Sequence, residues 1–182
     1  MVETKKGGWQ DMGDTTNGAA DFCALVAEQK LPRWEELPDL ELYMDQVLSL
    51  MERYLGSYPG FDRKGLTASM VNNYVKLGVM PPPVKKKYTR IHLAHLIMIC
   101  VLKASLPIDQ IKNLILKSVE NAQESEIYNK FCEDFEASVR QAADGVSADP
   151  GIVTIYRAAL RAQAEQALSR KLYEELFRAS MG

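Results

Sequence analysis

Apolar residues recur at helical spacing through most of the chain. Leu40, Tyr43, Met44, Val47, Leu48, Met51 and Tyr54 mark one face of a helix, with Asp39 as its cap and Gly56 and Pro59 as its stop. A second helix runs from Ala68 to Leu77 behind a Thr67 cap and ends at Gly78. Its two faces separate. Met70, Val71, Tyr74 and Leu77 lie on one side, and Ser69, Asn72, Asn73 and Lys76 on the other. Three prolines, Pro81 to Pro83, forbid further helix, and "VKKKY" after them reads as a short strand or tight turn. Thr89 then caps a helix that is apolar on nearly every side, "IHLAHLIMICVL". A helix of that kind is buried on all sides and predicts the spine of the fold. Pro107 and Asp109 open a further helix whose buried face is Ile108, Ile111, Leu114 and Ile115.

The ends of the chain read differently. Residues 1–20 are rich in Gly, Asp, Thr and Lys and predict a flexible N-terminus, with one short helix from Asp21. In "LPRWEELPDLELYM" two prolines surround Trp34, so an extended segment anchored by that ring is expected. After Glu120, Ile127, Phe131, Phe135 and Val139 mark an amphipathic helix with an acidic side. Asp149 and Pro150 cap a last helix of about 30 residues, roughly 45 Å long. Its apolar stripe includes Ile152, Ile155, Tyr156, Leu160, Leu168, Leu172 and Leu176, and a stripe that long packs on a partner helix of the same chain or a second subunit. The expected architecture is all-α with at most a short β wing. Its units are a helical domain over 21–120 and a helical extension over 121–182 that packs or dimerises.

Charge sharpens this picture. The net charge of the 182 residues is −2, which by itself names no partner. From Arg63 to Leu106, however, there are eight Lys or Arg and no Asp or Glu. The remainder holds 22 − 8 = 14 bases against 24 acids, a net of −10. A basic segment on an acidic body is what a protein presenting one face to a polyanion needs. Cys23, Cys100 and Cys132 are scattered and lack zinc-like spacing, which predicts reduced thiols in a cytoplasmic protein. The longest apolar run carries two histidines and is too short to span a bilayer, so no membrane partner is expected.

Catalysis finds no footing. There is no Gly-rich phosphate loop and no GxSxG nucleophile turn. His92 and His95 stand three apart on one helix with no further ligand near, and predict one core and one edge histidine rather than a metal site. No enzyme, cofactor or metal is expected.

The stretch around the second helix carries more. A helix that enters a major groove needs short polar side chains outward and an apolar back. Over a recognition helix at 66–78, Ser69, Asn72, Asn73 and Lys76 are the candidate groove readers. Thr67 and a lysine-rich wing at 81–88, with Lys85, Lys86, Lys87, Tyr88 and then Arg90, are the candidate phosphate contacts. Double-stranded DNA is the expected partner, held by a homodimer joined through the C-terminal helices. The alternative is a non-catalytic adaptor whose basic face docks an acidic protein.

"LTASMVNNYVKLGVMPPP" followed by "KYTRIHLAHLIMICVLKASLPIDQIKNLI" resembles the winged helix-turn-helix of MerR-type transcriptional regulators. Thr67, Tyr74, Gly78, Val79, Met80, Pro81, Pro82, Tyr88, Thr89, Leu93, Leu96, Ile99, Ile111 and Ile115 carry the likeness. The resemblance implies DNA binding and a dimer. Asn72 and Asn73 stand where that pattern has Arg-Tyr, and the wing is shortened to "PVKKK". With "LPRWEELPDLELYMDQV" added, the chain also resembles an uncharacterised bacterial family catalogued as domain of unknown function 1836.

Overall fold

The computed structural model describes residues 15–58, 61, 65–120, 122–145 and 152–178, with side chains from residue 21 onward. Among these residues the protein is all-α, with seven helices and only two isolated β-bridges. The helices are α1 (Thr15–Ala27), α2 (Met44–Leu55), α3 (Ala68–Lys76), α4 (Arg90–Leu102), α5 (Ile108–Val119), α6 (Glu124–Asp144) and α7 (Ile152–Phe177). Helix α1 begins inside the stretch expected to be flexible. It runs along α6, and that packing supplies the stability that so short a helix, with an internal glycine, lacks alone.

Helix α4 is the spine. Its nine consecutive residues from His92 to Cys100 are all buried, and α2, α5 and α6 pack around it. A helix enclosed on every side needs apolar residues on every side, which explains its lack of a polar face. Both histidines are buried, 5% and 7% exposed, so the expected edge histidine is absent. His95 is tolerated because its Nε2 lies 2.9 Å from Glu124 Oε2, which ties α4 to the first turn of α6.

Helix α2 starts at Met44, later than the apolar spacing suggests, and Asp39 is not its cap. Gln46 Oε1 instead accepts from Tyr43 N, 2.8 Å away. The residues before it are extended because Leu42 exchanges both backbone hydrogen bonds with Tyr88, each 2.8 Å. Trp34 anchors the preceding segment as expected. It sits in a short 3₁₀ turn, its N–H donates to Asn129 Oδ1 over 2.8 Å, and its ring lies 6.3 Å from that of Tyr128.

The core does not stop near residue 120. Tyr128, Cys132, Phe135 and Val139 of α6 belong to the same buried cluster as α2, α3 and α4. Only α7 stands off, with Phe177 as its one buried residue. It touches the body through Asn113 Nδ2, which donates to the Tyr173 hydroxyl over 2.7 Å. The proposed Asp149–Pro150 start of this helix lies outside the described residues. Cys100 and Cys132 are buried, while Cys23 is half-buried and all three are free. No helix among the described residues is long and apolar enough to cross a membrane.

Candidate nucleic-acid interface

Helix α3 is built as its sequence predicts. Thr67 is the N-cap, and its Oγ1 accepts from Met70 N over 3.3 Å. At the other end Gly78 has φ +70, the left-handed turn that glycine adopts without cost. Gly78 N donates to Val75 O and Val79 N to Tyr74 O, both 3.0 Å, the paired bonds of a Schellman stop. Lys112 of α5 adds a third closure, its Nζ donating to Leu77 O over 2.9 Å. A cation there suits the negative end of the helix. Val71 and Tyr74 are buried against the core, whereas Thr67, Ser69, Asn72, Asn73 and Lys76 are exposed.

After α3, Val79 and Met80 return to the core and the prolines lead into a hairpin. Val84 and Lys87 pair as an antiparallel bridge, leaving Lys85 and Lys86 as the two central turn residues. Both have positive φ, 51 and 63. Two left-handed central residues fit the twist of a two-residue hairpin, a position that favours Asn-Gly and penalises lysine. Both side chains are exposed.

The other three basic-segment candidates sit differently. Tyr88 is only 3% exposed, with its ring edge-on to His92 at 5.3 Å. It is a packing residue whose ring lies in the core, so it has little surface to offer a phosphate. Lys87 Nζ lies 2.7 Å from Glu41 Oε2 and 5.9 Å from the centre of the Tyr43 ring. Its hydrogen bond to Glu41 raises its pKa and keeps it charged and engaged. Arg90 is half-buried. Its Nε donates to Leu37 O over 3.1 Å, Asp39 is 3.7 Å away, and the guanidinium lies over Trp34. Neither Lys87 nor Arg90 is available to a phosphate without breaking these contacts. The segment before α2 therefore supplies the acids that the basic span lacks. Lys76, Lys85 and Lys86 remain without an ion pair among the described residues.

His92 fixes the hairpin's exit to α4. Its Nδ1 lies 2.9 Å from Thr89 N and 3.0 Å from Thr89 Oγ1. A backbone N–H can only donate, so Nδ1 is an acceptor and Nε2 carries the ring hydrogen. Burial lowers the pKa of this imidazole, in keeping with a neutral ring. No group of three or more metal-ligating side chains occurs among the described residues.

The profile of a family described only as a domain of unknown function, DUF1836, matches residues 32–134. The match spans more than half of the chain. The protein belongs to the DUF1836 family. The matched region opens at the Trp34 anchor, takes in α2 to α5 with the hairpin, and closes within α6. No curated protein and no solved structure matches the chain.

Proposed function

We propose that this DUF1836 protein is a DNA-binding transcriptional regulator of the MerR-like winged helix-turn-helix type, with α3 as recognition helix and the 81–88 hairpin as wing. One observation carries the reading. An exposed, acid-free polar face on α3 is backed by buried Val71 and Tyr74, and a hairpin tipped by two exposed lysines follows it. Ser69, Asn72, Asn73 and Lys76 read base edges, amide forks being suited to adenine. Thr67, Lys85 and Lys86 hold phosphates. Two copies pair through the exposed stripe of α7, which gives two half-sites on one duplex.

Fluorescence anisotropy with duplex DNA from the protein's own upstream region, against a scrambled duplex, tests this. Two lysines on phosphates predict a log–log salt slope of about −1.8 per protomer. Asn72→Ala with Asn73→Ala should reduce the preference for the native duplex by about 1–3 kcal/mol. Lys85→Glu with Lys86→Glu should weaken both duplexes alike and flatten the slope. Failure to bind either duplex at low salt would sink the proposal and turn attention to an acidic protein partner for the same basic face.

A further inference from the structure

The segment before α2 crosses the exit of the hairpin in a fixed register. Leu42 and Tyr88 exchange both backbone hydrogen bonds, each 2.8 Å. That antiparallel pairing sets Tyr43 directly opposite Lys87 and Glu41 diagonally across from it. The side chains meet accordingly. Lys87 Nζ lies 2.7 Å from Glu41 Oε2 and 5.9 Å from the centre of the Tyr43 ring. The same segment holds Arg90 through Leu37 O and, more loosely, through Asp39.

Backbone pairing thus delivers a carboxylate to a cation of the hairpin. The pairing itself needs no acid at position 41, because Leu42 supplies both of its backbone groups and the Glu41 side chain is exposed. A carboxylate and a phosphate make the same kind of charge-assisted bond to an ammonium group. A polyanion therefore meets Lys87 already neutralised, and contact with it releases one fewer counterion. An exposed ion pair is individually weak, so Glu41 lowers affinity without closing the surface.

We propose that Glu41 is a built-in competitor for phosphate, an autoinhibitory contact that holds Lys87 away from a polyanion bound along α3 and the hairpin. On the DNA reading above, on which this rests, Lys87 is a third phosphate contact held in reserve. Because Arg90 is held by the same segment, drawing that segment off Tyr88 would free both cations together.

Glu41→Gln keeps the length of the side chain and an oxygen for Lys87 while removing the charge. In the anisotropy titration the full chain with this change should bind the upstream duplex about threefold to tenfold more tightly at about 0.1 M salt. Its salt slope should steepen from about −1.8 to about −2.7 per protomer. Lys87→Ala should alter the wild-type protein little, yet abolish the gain when combined with Glu41→Gln. Glu133→Gln, which removes an exposed acid of α6, should behave as wild type. The same proteins run on a heparin column should elute in the same order, which reads the contact even where no duplex binds. A Glu41→Gln protein that holds both polyanions no better than wild type would overturn the proposal and leave Glu41 as a brace. So would a gain that Glu133→Gln reproduces or that survives Lys87→Ala. Binding to heparin with no binding to duplex would sink the DNA reading alone, and binding to neither by any variant would sink both.

Discussion

Lys85 and Lys86 occupy a backbone conformation that costs an ordinary residue roughly 1–2 kcal/mol. The tight Val84–Lys87 pairing imposes that cost, and a hairpin optimised for stability would carry Asn-Gly at these positions. Replacing Lys85 with Asn and Lys86 with Gly should therefore stabilise the protein by about 1–2 kcal/mol in urea unfolding. The same change should weaken DNA binding and lower the salt slope by about 1.8, since two phosphate partners are lost. Greater stability with unchanged DNA affinity would remove the hairpin tip from the interface. At this scale the sequence displays α3 well, because the alternation of Val71 and Tyr74 with Asn72, Asn73 and Lys76 follows the helical period. It conceals the fates of Lys87 and Arg90. Glu41 is 46 residues from Lys87 and Asp39 is 51 from Arg90, and no local spacing connects such partners. Tyr88 misleads for a similar reason: its place beside three lysines suggests exposure, while its backbone pairing with Leu42 turns the ring inward.

Among the elements, α4 and α5 follow directly from their apolar patterns, and α3 from its cap and its glycine stop. The start of α2 does not, because the β-bridge between Leu42 and Tyr88 overrides helical periodicity in the preceding residues. His92 gives the junction of hairpin and α4 a pH dependence. In the folded protein its pKa lies below the ordinary 6.5, mainly through burial; hydrogen bonding to the Pro82 backbone opposes this, His95 lowers it further, and the Pro81 backbone and Glu124 add smaller opposing pulls. The unfolded chain therefore binds a proton more readily than the folded one. The folded state should be at full strength above about pH 6.5 and lose stability as pH falls below it. Protonation also places a second donor opposite Thr89 N–H, where Nδ1 now accepts. Unfolding free energies measured from pH 7.5 to 5 should show this decline. A His92→Asn variant, whose side-chain oxygen can still accept from Thr89, should flatten it. An identical pH profile in that variant would assign the decline elsewhere.

For the molecule as a whole, one core joins α2 to α6, and the helical extension begins at α7 rather than near residue 120. The composition change after Glu120 is real, but α6 pays no heed to it, because its apolar face meets α1, α4 and α5. Helix α7 keeps Ile152, Val153, Ile155, Tyr156 and Leu160 at 59–68% exposure, an apolar face that the described residues of its own chain leave uncovered. If α7 joins two copies, sedimentation equilibrium should return a dimer for the intact protein and a monomer for Tyr156→Glu with Leu160→Glu. Helix content by circular dichroism should stay close to wild type outside α7. A monomeric wild type would remove the two-half-site geometry from the DNA reading.

The distribution of the thiols has a practical consequence. Burial raises the Cys100 pKa to about 11 and also pushes up that of Cys132. Both are therefore protonated and shielded from electrophiles in the native state. Cys23, on the helix that lies against α6, alone is partly open. A maleimide dye should label that position first, which provides an optical reporter on α1 without engineering the chain. The slower reaction of the other two thiols would then time the opening of the core.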